Sequence, residues 1–120
     1  MKIAVTTSGR NLEAPLDARF GRAARFLIYD SESGAIELIE NEQNLQAAQG
    51  AGIQAAEAVA RSGAGALITG HCGPKAYRVL TAAGIQVYLS GPGTVGEALE
   101  RWRGAQLKPL AAADVEGHWA

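Results

Sequence analysis

Two consecutive units of one design limit what this chain can fold into. In the first, Ala66 to Thr69 is a short apolar run, Gly70-His71-Cys72-Gly73 a tight loop, and Pro74 opens a helix to Ala83 with Gly84 behind it. In the second, Ile85 to Leu89 leads through Ser90-Gly91-Pro92-Gly93 into a helix from Thr94 to Arg103. Proline suits the first helical position because its missing N–H has no intrahelical partner there, and glycine suits the position after the last. Thr94 and Glu97 form a capping box, each side chain placed to satisfy the other's backbone N–H. Strands joined through helices by such short loops make right-handed parallel crossovers. This half of the chain therefore implies an α/β sheet with helices packed on it.

The N-terminal half supplies the rest of the sheet. Lys2 to Thr7 alternates Ile3 and Val5 against Lys2, Ala4 and Thr6, a strand period. Arg25 to Asp30 and Ala35 to Glu40 read as a second and a third strand, joined antiparallel by Ser31-Glu32-Ser33-Gly34. Between the first two strands lies a long segment, 8–24, with no clear period and with Gly9, Pro15 and Gly21. Loops of this length in compact domains are often functional. Residues 41–49 are amide-rich and read as loop. From Gly50 the period changes: Gln54, Glu57 and Arg61 form one polar stripe on an Ile/Val/Ala helix ending near Gly63. The order is βββαβαβα, and the expected architecture is a mixed five-stranded sheet of ribonuclease H-like topology. Residues 1–110 should form one domain. The Ala-rich segment from Gln106 to Ala120, with Pro109, has no strong period and reads as loosely held, with 111–120, including His118 and Trp119, as the loosely ordered tail beyond the domain.

Composition excludes several functions. A net charge of −1 offers no basic field for nucleic acid. No apolar run approaches the roughly 20 residues of a membrane helix, and Met1 to Thr7 reads as a strand rather than a signal peptide. One cysteine cannot form an internal disulfide, which fits a reducing, cytoplasmic setting. The first strand carries no acid, and Asp30, Glu37 and Glu40 lie on a turn or an alternating strand face. The clustered carboxylates of a metal-dependent nuclease are therefore missing. Gly50-Ala51-Gly52-Ile53-Gln54-Ala55 fits a dinucleotide-binding pattern formally, but it follows no strand directly and lacks the acid about twenty residues on.

In the expected topology strands one, three, four and five run the same way. Loops 8–24, 41–50, 70–73 and 90–93 then open on one edge, where open α/β sheets bind ligands. Three of these loops deliver a helix N-terminus with glycine beside it, which favours negative charge. Arg10, Arg19 and Arg22 lie in the first loop, and Lys75 and Arg78 on one face of the helix after Pro74. The candidate ligand is an anion, held by Arg10, Arg19, Arg22, Lys75 and Arg78 and by backbone at Gly50, Gly52 and Gly73. His71 and Cys72 could act as soft-metal ligands. Against that, a closed zinc site takes about four protein ligands, and a lone cysteine is often simply a small buried residue. A helix N-terminus also lowers thiol pKa, so a Cys72 nucleophile is a further alternative.

Several segments resemble the dinitrogenase iron–molybdenum cofactor biosynthesis family. They are Met1-Lys2-Ile3-Ala4-Val5; Asp17-Ala18-Arg19-Phe20-Gly21-Arg22-Ala23; Gly50-Ala51-Gly52-Ile53-Gln54-Ala55-Ala56; Thr69-Gly70-x-x-Gly73-Pro74-x-Ala76-Tyr77-Arg78-Val79-Leu80; and Ala83-Gly84-Ile85-x-Val87-Tyr88. The resemblance implies a ribonuclease H-like fold and a non-enzymatic protein that binds or carries a metal–sulfur cluster. In the stand-alone orange-protein branch this is a molybdenum–copper–sulfide cluster held non-covalently; an iron–sulfur or iron–molybdenum cluster is the second choice. Such a cluster brings its own sulfide, so the resemblance leaves His71 and Cys72 as ligands or bystanders. It also implies a protein partner in cluster delivery. The alternatives are a Cys72-dependent sulfur-transfer or redox enzyme and a metal-free interaction domain.

Overall fold

The structure is a computed structural model, and it describes residues 1–41 and 50–112. Its strands are β1 (Lys2–Thr7), β2 (Arg25–Asp30), β3 (Ile36–Glu40), β4 (Ala66–Thr69) and β5 (Gln86–Leu89). Its helices, among the described residues, are α1 (Ala51–Arg61), α2 (Pro74–Ala82) and α3 (Val95–Arg103). The strands form one mixed five-stranded sheet in the order β3-β2-β1-β4-β5. β2 is antiparallel to both neighbours, while β1, β4 and β5 are mutually parallel. Strands β1, β3, β4 and β5 thus point the same way, as the sequence implies. The loop reading of 42–49 and that of His118 and Trp119 lie outside the described residues.

Side-chain alternation sorts the core into two layers. Ala4, Phe26, Ile28, Leu67 and Val87 face one side, where Ala55, Ala56 and Val59 of α1 meet Ala76 and Leu80 of α2. Ile3, Val5, Leu27, Ala66 and Ile68 face the other, under Val95, Ala98 and Leu99 of α3. β1 and β4 sit in the middle of the sheet and are buried on both faces, which is why they read as near-continuous apolar runs. The capping box of α3 forms: Glu97 N–H donates to Thr94 Oγ1 (3.1 Å) and Thr94 N–H to Glu97 Oε1 (2.8 Å).

Residues 106–110 are not loosely held. Pro109 bridges Tyr88 in antiparallel fashion along the outer edge of β5. Leu110 N–H donates to the Val87 carbonyl (2.7 Å), and Tyr77 Oη donates to the Leu110 carbonyl (2.8 Å). The contacts are mostly backbone, so an Ala- and Pro-containing sequence makes them without showing a strand period. No helix of the described residues is long and apolar enough to cross a membrane.

Candidate functional site

The edge where β1, β3, β4 and β5 end is built largely by the long segment after β1. Its first part seals α3. Leu16 N–H donates to the Gly93 carbonyl (2.9 Å), and the N–H groups of Val95 and Gly96 donate to the carbonyls of Ala14 (2.9 Å) and Leu12 (2.8 Å). With Glu97 N–H taken by Thr94, the first-turn donors of α3 are all satisfied inside the chain. The expectation that loop 90–93 presents an open helix N-terminus is therefore corrected. Glu97 in that first turn adds negative charge, which repels an anion.

The second part arches over the ends of β1 and β4. Asp17 N–H donates to the Thr6 carbonyl (2.9 Å), and Thr6 Oγ1 donates to the Asp17 carbonyl (2.6 Å) while lying 3.0 Å from Thr69 Oγ1. Both threonines are fully buried, so these bonds are needed to satisfy them. Asp17 Oδ1 then accepts from Arg19 N–H (2.9 Å), turning the chain. Phe20 drops into the core, fully buried, with its ring centroid 5.5 Å from that of Phe26. Buried Asn41 holds the far side: its Nδ2 donates to the carbonyls of Ala23 (2.8 Å) and Gly21 (3.3 Å). The result is a knuckle with Phe20 as its root. Arg19, just before that root in the chain, is exposed; Arg22, two residues after it, is half-buried and engaged in an interaction of its own.

This knuckle is stapled to the loop after β4. Arg19 and His71 form a parallel backbone bridge. The crossing is close: a Cβ on Gly70 would lie 2.6 Å from Ala18 Cα. Beyond the staple, Gly73 is extended and Pro74 opens α2 with no side-chain cap and no acid in the first turn. Lys75 and Arg78 are exposed on that helix. α1 begins at the same edge. Gly50 takes a left-handed conformation (φ 78°) to turn the chain into it, again with no side-chain cap and no acid in the first turn. Gly52, the second helical residue, is buried. α1 and α2 pack together on one face of the sheet, and each follows a strand that ends at this edge, so both open toward it with their positive ends.

Not all predicted residues join this group. Arg10 turns to β3, its Nη1 3.5 Å from Glu40 Oε2. Cys72 lies in the apolar layer, 1% exposed, in the cluster that holds Phe20, Ala55 and Ala76. Its Sγ contacts the Gly73 carbonyl at 3.7 Å. His71 is half-buried, and both it and Cys72 make further interactions. Among the described residues no three His, Cys, Asp or Glu side chains gather as a metal site.

The residues that build the edge were partly invisible in sequence. Arg25, 7% exposed, grips both oxygens of Glu40 through Nε (3.2 and 3.1 Å) and bonds the carbonyls of Ser8 and Gly9 through Nη1. Donation from Arg25 is the main reason the Glu40 carboxyl is held below its ordinary pKa; the charge of Arg10 adds to it. The available signal was register: a turn closing Asp30 against Ala35 pairs Arg25 with Glu40. Asn41 and Thr6 carried no such signal.

The edge can be set beside proteins of known shape. The family model described as "Dinitrogenase iron-molybdenum cofactor" matches residues 1–105. The apo form of the orange protein from Desulfovibrio gigas superposes with a TM-score of 0.91 at 42% identity, covering 95% of this chain and 96% of that one. A NifB-type protein of the DUF35 family from Thermotoga, solved by NMR, gives a TM-score of 0.84 at 34% identity over 97% and 98% of the two chains. An uncharacterized protein of Methanocaldococcus jannaschii is 32% identical over 111 residues, 90% of either chain. With the family model spanning nearly the whole described fold, the chain belongs to the dinitrogenase iron–molybdenum cofactor family.

Proposed function

We propose that the protein binds and carries an anionic metal–sulfur cluster at this edge and is not a catalyst. Family membership ties it to metal–sulfur cofactors. The observation that carries the reading is that two neighbouring helices, α1 and α2, both open toward this edge, neither with a side-chain cap nor an acid in its first turn. Exposed Arg19, Lys75 and Arg78 flank them, with Arg22 beside the knuckle. Backbone donors and cations of this kind suit an anion.

The donor set also speaks to the form of the cargo. A bare soft metal ion needs several thiolate or imidazole ligands from the protein; the described residues gather no such group. A thiometallate, its metals already enclosed by sulfide, needs only charge, N–H donors and a shaped wall. The molybdenum–copper–sulfide cluster is the favoured cargo because the chain is similar to the orange protein. An iron–sulfur cluster is the second. In this reading Gly50, Gly52 and Gly73 let backbone approach the cargo, His71 borders it, and Cys72 supports the wall from behind. A protein that receives the cluster completes the role, in a reducing cytoplasm that keeps sulfide and thiol intact.

The Cys72-enzyme reading gains nothing from the structure, since a reactive thiol sits in a partly exposed, electropositive place and Cys72 is 1% exposed.

The test is reconstitution of the apo-protein with tetrathiomolybdate and copper. The expected result is a charge-transfer band and metal retained through desalting. Absence of both sinks the molybdenum–copper reading. The Arg19→Ala, Arg22→Ala, Lys75→Ala triple variant should retain less metal, and unchanged retention removes the electrostatic account.

A further inference from the structure

The two outer edges of the sheet are treated differently. The outer edge of β5 is covered by the 109–110 segment, through the Tyr88–Pro109 bridge and the Leu110 N–H to Val87 carbonyl bond. Along β3, the other outer strand, no described residue pairs. Exposed strand edges template pairing with another chain, and proteins usually blunt them with charged side chains, lysine above all, with proline or with a bulge. β3 reads Ile36-Glu37-Leu38-Ile39-Glu40: it has no proline, lysine or bulge, and of its two charges Glu40 is neutralised by Arg25 and Arg10, which leaves Glu37. Ile36 is 42% exposed, one of two large apolar residues so exposed among those described.

Register shows what can pair there. Asn41 N–H donates to the Ala24 carbonyl and Asp30 N–H to the Ala35 carbonyl. In an antiparallel ladder hydrogen-bonded pairs alternate with non-bonded ones. Ile39–Phe26 and Glu37–Ile28 are then bonded pairs, and the amides of Ile36, Leu38 and Glu40 point outward. These same three residues place their side chains toward the α3 face, where Leu38 packs against the core.

We infer that β3 pairs antiparallel with β3 of a second copy of this chain, about a two-fold axis through Leu38. That register places Leu38 opposite Leu38, Ile36 opposite Glu40 and Glu37 opposite Ile39. It engages every outward amide of the strand, and no carboxylate faces another. Shifting the axis to Glu37 sets two carboxylates directly opposite, which is unfavourable. Parallel in-register pairing stacks Glu37 on Glu37 and Glu40 on Glu40. Glu40 is already held by Arg25 and Arg10, so its place at the end of the ladder buries no unpaired charge. The product is a continuous ten-stranded sheet with Ile36 and Leu38 of both copies adjoining on one face. A five-residue strand makes this a weak dimer that forms and dissolves with concentration.

The test is sedimentation equilibrium of the full chain up to millimolar concentration, with Ile36→Glu and Ile36→Lys variants. Both remove the same apolar surface at an exposed position, and circular dichroism checks that both fold. In the inferred register residue 36 faces Glu40 of the other copy twice. Ile36→Glu should therefore raise the dimer dissociation constant at least tenfold, while Ile36→Lys leaves it within about threefold of the parent. A parent chain that stays monomeric overturns the inference. So does equal loss of association in both variants, or no loss in Ile36→Glu.

Discussion

Ala18 crosses Gly70 with no room for a side chain between them. A Cβ on Gly70 would lie 2.6 Å from Ala18 Cα and 2.7 Å from its carbonyl oxygen. Both neighbours are backbone, and the crossing sits one residue from the Arg19–His71 bridge. The glycine is therefore what lets the basic knuckle lie flat on the loop before α2.

Gly70→Ala should accordingly push the knuckle off the loop. Overpacking of this kind costs about 1 to 3 kcal/mol. Urea unfolding at neutral pH should show that loss, and cluster retention should fall further than stability does, because Arg19 moves with Ala18. A variant with parent stability and parent retention would show that the crossing has no positioning role.

The Arg25–Glu40 pair predicts a pH dependence. Glu40 has a folded-state pKa below its ordinary value because Arg25 donates to it. A depressed carboxyl contributes stability that is fully present above its unfolded pKa and is lost as pH falls through the folded one. Glu40→Gln should therefore lower the urea midpoint at pH 7. The gap to the parent should close as pH falls below the ordinary glutamate range. Glu40 is half exposed, so the gap at pH 7 should also shrink with added salt. A gap that stays constant down to pH 3 would show that the pair contributes through shape alone.

Much of the fold was readable because its signals are local. Pro74 at the first helical position, the Thr94–Glu97 box and the glycine turn at Gly34 each specify a boundary with neighbouring residues only. The strand and helix limits accordingly fall within two residues of the sequence reading. The site was readable only in outline. Arg19 and Phe20 are adjacent, yet one is exposed and the other fully buried, and what separates them is Asp17 bonding back to Thr6. That contact exists only once β1 and β4 are side by side. The sealing of α3 by Leu12 and Ala14 carbonyls is likewise backbone chemistry, written in no side chain. Arg25 reads in sequence as the first residue of a strand; its partner Glu40 becomes apparent only from the hairpin register.

Phe20 offers a way to separate anchoring from charge. It is the only side chain of the Arg19-to-Arg22 stretch that enters the core cluster. Phe20→Leu keeps an apolar root and should cost about 1 to 2 kcal/mol, whereas Phe20→Ala leaves a cavity and should cost about 3 to 5 kcal/mol. Neither removes a cation. If the knuckle must be rooted to hold the cargo, retention should follow the order parent, Phe20→Leu, Phe20→Ala under conditions where circular dichroism shows all three folded. Equal retention in the three would mean that Arg19 and Arg22 act as diffuse charge rather than from fixed positions.

Cys72 can be settled by two measurements whose outcomes differ in kind. Its burial in the cluster that holds Phe20 and Ala76 predicts slow alkylation of the native apo-protein and a large acceleration in urea, because reagent reaches Sγ only on opening. Cys72→Ala removes one heavy atom from an apolar site and should cost about 1 kcal/mol. If the cargo brings its own sulfide, this variant should retain metal at the parent stoichiometry with an unchanged charge-transfer spectrum. Loss of the band with the fold intact would make Sγ a ligand. The cluster would then have to draw Cys72 out of the core. Slow alkylation together with a retained band would instead fix Cys72 as part of the wall and leave the holding of the cargo to Arg19, Arg22, Lys75 and the two helix ends.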